Sequence, residues 1–214
     1  MGSLMQGFLT ALRLRFGVLV AGLLVGLPAW PATVQVAVQD GAGRPLAGAV
    51  AFLDSPEAKK LVRPAQGVEM AQQKRQFVPD LLVIPVGTEV RFPNNDTVRH
   101  HVYSFSPAKK FELKLYAGTP ANPVLFDQPG VVVLGCNIHD QMVAWLLVVE
   151  TPFHAQTTVA APVARLEKVP AGSYKLRVWH AGLPVGAAAL EQAITVTEPG
   201  AAAPIVVKLQ GVAQ

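Results

Sequence analysis

Thiol, imidazole and thioether side chains crowd one short stretch of this chain. From Gly135 it reads Gly-Cys136-Asn-Ile-His139-Asp-Gln-Met142, so cysteine, histidine and methionine follow at intervals of three. Upstream, Asp96-Thr-Val-Arg-His100-His101-Val supplies two further imidazoles. Two imidazoles, a thiolate and a thioether together make the ligand set of a copper electron-transfer centre. Thiolate and thioether favour Cu(I), whereas imidazole accepts either oxidation state. A rigid site that suits neither ion fully changes little when an electron arrives or leaves.

Other chemistries fit these residues less well. A thiol hydrolase needs a base presented across a cleft and a group to orient it, and Cys136 and His139 sit three apart on one tight loop. Zinc accepts cysteine and histidine, but a methionine beside them favours copper. Cys136 read alone is a small buried hydrophobe, Met142 read alone is core, and Gln141 offers an oxygen in place of the thioether. His101 is an alternative to His100 as the upstream ligand and otherwise lies beside the site or on the surface. Asp96, within Asn94-Asn-Asp96, reads first as a turn former. His154 and His180 fall outside the motif and read as solvated or bonded to backbone.

A loop of this kind needs strands on either side to hold it. Val131 to Cys136 and Val143 to Val149 are strand-sized apolar runs that bracket the motif. The series extends both ways, through Gln76 to Val78, Leu81 to Pro85, Glu89 to Phe92, Val102 to Phe105, Leu113 to Tyr116 and Pro123 to Phe126. Before them, Thr33 to Val38 alternates and Ala49 to Leu53 follows a Gly/Pro turn. After them come Arg165 to Val169, Tyr174 to Trp179, Ala193 to Thr197 and Ile205 to Leu209. Short apolar runs separated by Gly, Pro, Asn and Asp predict an all-β antiparallel sandwich or barrel. Residues 54–67 read as a linker, with a weak helical pattern beginning near Ala58.

The segment from about Val68 to Val149 resembles a cupredoxin domain of the plastocyanin and amicyanin type, and it has amicyanin's C-x-x-H-x-x-M spacing. The resemblance implies an antiparallel Greek-key β-sandwich holding one type 1 (blue) copper through His100, Cys136, His139 and Met142. It places His101 where a backbone N–H usually bonds the cysteine sulfur, and His139 near the surface as the electron exit. Ile138 stands where the family has proline, and Asp140-Gln141 also departs from its pattern. The flanks resemble something else. Val36 to Val50 and Leu166 to Leu176 look like two parts of a carboxypeptidase-regulatory or transthyretin-like sandwich. The implied division is a discontinuous small β-sandwich, 33–60 and 151–214, interrupted by a cupredoxin domain at 65–150; the alternative is two consecutive pieces, with the N-terminal strands joined to the cupredoxin. The whole arrangement resembles periplasmic proteins described as methylamine-utilisation-like, a description that implies little about substrate.

Composition narrows the classes further. The chain has 51% hydrophobic and 15% charged residues, which excludes a disordered tail protein. Eighteen glycines and eighteen prolines argue against a helical bundle. Arg13 and Arg15 before the apolar run Phe16–Leu27 and Pro28-Ala-Trp-Pro-Ala32 predict a secretory signal peptide, residues 1–32. Cleavage is expected after Ala29 or Ala32, with export to the periplasm. The lone cysteine then has an oxidising compartment and no internal partner. The net charge of +4 comes from scattered residues rather than a basic stripe, so nucleic acid is not an expected partner. No later run is long enough to span a membrane.

The expected function is one-electron transfer between redox partner proteins such as a c-type cytochrome or a periplasmic dehydrogenase. The chain would then not be an enzyme. The alternative is a copper carrier or cell-envelope interaction module. A copper oxidase or nitrite reductase needs a second histidine-rich site, and five histidines are too few.

Overall fold

The computed structural model describes residues 31–197 and 203–213. The predicted signal peptide lies outside the described residues except for its last two positions. Among the described residues no helix is long and apolar enough to cross a membrane.

The first elements are β1 (Ala32–Gln39), β2 (Val50–Asp54) and a short helix α1 (Pro56–Leu61). That helix lies where the sequence reads as a linker. Ser55 caps it by accepting from the Ala58 N–H, and Pro56 fills the first helical position. The central strands follow: β3 (Val68–Glu69), β4 (Ala71–Gln73), β5 (Gln76–Val78), β6 (Leu81–Pro85) and β7 (Thr88–Arg91). Next come β8 (His100–Ser106), β9 (Lys109–Tyr116), β10 (Val124–Phe126), β11 (Gly130–Gly135) and β12 (Val143–Val149). The chain ends with β13 (His154–Gln156), β14 (Val163–Val169), β15 (Gly172–Trp179), β16 (Leu190–Val196) and β17 (Ile205–Lys208).

The protein is therefore all-β, and its strands sort by pairing. The central stretch forms a five-stranded sheet, β6-β12-β11-β8-β9, a three-stranded sheet, β10-β7-β3, and the β4–β5 hairpin. Val102, Val132, Leu134, Ala144, Leu146 and Val148 point inward from the larger sheet to meet Val90, Phe92 and Phe126. The outer strands form the sheets β14-β1-β17 and β13-β2-β15-β16. Their core is Val34, Val36 and Val38 of β1 packed with Leu53, Leu166, Leu176 and Val178. Pairing is mostly antiparallel, but β1–β17, β3–β7 and β12–β6 run parallel.

Two strands are buried on both faces. In β2, Ala51 and Leu53 enter the outer core, while Val50 and Phe52 face the other way. In β12, Leu146 and Val148 enter the central core, while Leu147 and Val149 meet Val50, Phe52 and Trp179. This explains the unbroken apolar run Ala144-Trp-Leu-Leu-Val-Val149, since a strand covered on both sides has no solvent face to keep polar. Leu147 is 4% exposed in that shared layer, so Leu147→Ala is expected to cost about 2–5 kcal/mol. Urea unfolding measures this. Val206→Ala, on an outer strand and 56% exposed, is expected to stay within about 0.5 kcal/mol of the parent.

Candidate metal centre

Three elements deliver the candidate ligands. His100 opens β8 and is fully buried; Cys136 directly follows β11 and is also buried. His139 lies half-buried in the loop to β12. That loop is closed by a turn in which the Met142 N–H donates to the His139 carbonyl at 2.8 Å. Met142 is 1% exposed and belongs to the same apolar cluster as Cys136. Its neighbour Gln141 is exposed, so of the two residues offering a further ligand atom, the thioether is the one inside.

The geometry brings three donors to one point. His100 Nδ1 lies 3.9 Å and His139 Nδ1 3.8 Å from Cys136 Sγ. The three donor atoms are all within 4.8 Å of one another, and the imidazole rings stand 4.9 Å apart, inclined at 59°. An ion placed among them would meet two nitrogens and one sulfur.

His101 points elsewhere. It is buried on the opposite face of β8, with its ring edge-on to Tyr103 at 5.7 Å. Its Nε2 sits 3.0 Å from Glu112 Oε1, close enough for an ion pair but poorly aligned for a hydrogen bond. His180 is held by backbone, with Nε2 at 3.0 Å from the Ala47 carbonyl and Nδ1 accepting from the Gly182 N–H. Burial pushes the His154 imidazole below its ordinary pKa.

Asp96 does more than form a turn. Its Oδ2 lies 2.8 Å from His100 Nε2, so the ring donates there and its Nδ1 lone pair is left facing the thiol. The same carboxylate accepts from the Lys74 N–H at 2.6 Å and the Arg75 N–H at 2.8 Å. Lys74 and Arg75 form the β4–β5 turn and both take positive φ, 54° and 57°. Side chains disfavour that region, and the two hydrogen bonds to Asp96 offset the cost. Burial pushes the Asp96 carboxyl up, but Arg75 N–H, His100 and Lys74 N–H outweigh it and hold it below the usual range.

A second polar group supports the strand beside His100. Tyr116, which pairs with His100 across β8 and β9, donates to the Phe92 carbonyl at 2.7 Å and accepts from Gln72 Nε2. Burial pushes its phenol up to about 12. Tyr116 therefore stays neutral at physiological pH. The only sequence signal for Asp96 is its position four residues before His100; nothing in the sequence links Tyr116 or Gln72 to the site.

No family model matches the chain, and no curated protein matches it. Solved structures do. A purple cupredoxin from Nitrosopumilus maritimus aligns at 23% identity, over 38% of this chain and 99% of its own, with a TM-score of 0.34. A Cu(I) amicyanin variant aligns at 20% identity over 46% of this chain and 98% of its own, with a TM-score of 0.35. A Cu-containing nitrite reductase from Thermus scotoductus SA-01 aligns at 26% identity over 41% of this chain, with a TM-score of 0.36. The aligned part spans 22% of that enzyme's length.

Because the folded Asp96 carboxyl is held below its ordinary pKa, its network stabilises the fold above the unfolded-state pKa. That contribution is lost as pH falls through the folded one. The stability gap between the parent and Asp96→Asn is thus expected to be full near neutrality and to close on acidification, as read by urea midpoints across pH. Long-range nitrogen–proton NMR on the metal-free chain should find His100 as the Nε2–H tautomer in the parent and mixed in Asp96→Ala.

Proposed function

We propose that this chain is a type 1 copper protein that carries single electrons, with His100, Cys136, His139 and Met142 as ligands. The observation that carries the reading is the convergence of two imidazole nitrogens on the buried Cys136 sulfur, with donors within 4.8 Å of one another. The donor set fits copper: His100 and His139 would offer imidazole nitrogens and Cys136 a thiolate, and the buried Met142 on the same loop would add a thioether. Copper held there supplies the Cu(II)/Cu(I) couple.

The remaining work falls to the chain's own residues. Asp96 fixes the His100 tautomer and orientation, and thereby the donor atom it presents. Cys136 is buried among Leu134, Met142 and Phe92, which keeps water from the sulfur. His139 is the least buried of the four, and Ile138 beside it is 47% exposed, so electrons would pass to a partner across this edge. The partner is a redox protein such as a c-type cytochrome or a dehydrogenase, met in the periplasm after export. No bond is made or broken, so we read the chain as a carrier rather than an enzyme.

We also infer that residues 33–60 and 151–214 form one discontinuous sandwich interrupted by a cupredoxin domain at 65–150. Pairing of β1 with β14 and β17, and of β2 with β13 and β15, supports that division.

Adding Cu(II) to the purified chain should give an intense thiolate-to-copper absorption in the visible. A colourless complex or no binding would overturn the proposal. Cys136→Ser is expected to abolish the colour, and His101→Ala to keep it. Colour lost in His101→Ala but retained in His100→Ala would refute the ligand assignment. Asp96→Ala should weaken copper affinity about 10- to 100-fold while leaving the band in place, as read by competition with a chelator.

A further inference from the structure

Residues of β11 alternate between two faces. Val132 and Leu134 enter the central core, while Val131, Val133 and Gly135 face outward, toward the groove between the two sandwiches. Of these three only Gly135 lacks a side chain, and the Tyr103 ring of the neighbouring β8 lies in the space. A Cβ built on Gly135 would come within 2.8 Å of the ring carbon that bears the hydroxyl, and as close to the oxygen itself. Glycine inside a strand weakens it. An aromatic ring laid over it from the next strand restores the lost cover and pins the register.

The same pair ties together the strands of two candidate ligands. Among the described residues, Tyr103 and Gly135 are the couple that pairs β8, which opens with His100, to β11, which Cys136 directly follows. Further along that seam the Val133 N–H donates to Ser106 Oγ at 2.9 Å. The Tyr103 ring is bracketed along its own strand, by His101 at 5.7 Å on one side and Phe105 at 5.3 Å on the other. With Gly135 covered from outside, Cys136 turns inward, where Sγ lies 3.9 Å from His100 Nδ1 and 3.8 Å from His139 Nδ1.

We propose that Tyr103 is a positioning residue for Cys136: its ring, seated on Gly135, holds the sulfur at the point where the two imidazoles converge. Without the ring, the end of β11 is free to move outward into the groove and carry Sγ away from both nitrogens. A side chain at position 135 forces ring and strand apart, to the same effect. The gain in copper binding rests on Cys136 being a ligand; the hold on the sulfur does not.

Gly135→Ala, Tyr103→Ala, Tyr103→Phe and the double variant Gly135→Ala/Tyr103→Ala of the full chain test this. In the metal-free chain, dithiobis(nitrobenzoate) should modify Cys136 about tenfold faster in both single alanine variants than in the parent. Tyr103→Phe, which keeps the ring, should react at the parent's rate. The double variant should fall back toward it, because the new methyl fills part of the space the ring leaves. With copper, each single alanine variant should lose about 10- to 100-fold in affinity by chelator competition and shift the visible band. The double variant should recover most of both. Leu147→Ala, which weakens the fold without touching this pair, should leave the band where it is. The proposal is overturned if neither alanine variant reacts faster than the parent, if the double variant is no better than the singles, or if Leu147→Ala shifts the band as far. A parent chain that takes no copper overturns the copper reading alone, and the thiol rates still decide the role of Tyr103.

Discussion

Burial of β12 on both faces is the constraint on which the rest of this structure depends. Leu146 and Val148 close the central core on one side, and Leu147 and Val149 close the layer against Phe52 and Trp179 on the other. The same strand begins one residue after Met142, so the ligand loop is anchored at its C-terminal end by a segment that cannot shift without opening two cores. At its N-terminal end, β11 pairs with β12 residue for residue from Gly130–Val148 to Gly135–Val143. The loop thus spans two neighbouring strands whose register is fixed along their whole length. A one-residue slip would turn every inward side chain outward, and that cost is what keeps Cys136 and Met142 facing inward.

Polar groups near the site are arranged to spare the interior unpaired charge. His100 is fully buried, which would be costly without a partner for its ring N–H. Asp96 supplies that partner and spends its remaining acceptor capacity on the Lys74 and Arg75 amides. A turn in unfavourable backbone conformation, a buried imidazole and a half-open carboxylate therefore stabilise one another, though each would be unfavourable alone. Asn94 extends this support by donating to the carbonyls of Val98 and Tyr116, both at 2.9 Å, which ties the loop before β8 to the end of β9.

Much of this was legible in the sequence, for physical reasons that can be named. Alternation in Thr33–Val38 and the apolar runs at Val131 and Val143 are strand signals, and the structure has strands there. The start of β9 was less readable, since Lys109-Lys-Phe-Glu-Leu-Lys pairs polar residues with half-buried ones and lacks a strong apolar face. Helix α1 was obscured by its six-residue length, although Ser55-Pro56-Glu57 is a good start signal. Within the candidate site, Cys136, His139 and Met142 could be picked out together because one short loop carries them. Choosing between His100 and His101 was harder. Adjacent strand residues face opposite sides, and only the fold shows which face of β8 is inward.

The groups that no motif announces are those whose partners are distant in sequence. Asp96 meets Arg75 across 21 positions and Lys74 across 22, Gln72 meets Tyr116 across 44, and Arg177 meets Asp54 across 123. Spacing carries chemical meaning only while the intervening chain is short enough to fix geometry; beyond that, sheet pairing decides who meets whom. Here β2 pairs with β15 only after more than a hundred intervening residues. That pairing sets Asp54 and Phe52 beside Arg177 and Trp179, and the packing of β2 on β12 brings them to the back of the sheet that carries Cys136. The loop motif and the packing of β2 and β15 on β12 are thus two consequences of one arrangement. The first is written in a few consecutive residues, and the second only in how distant strands come together.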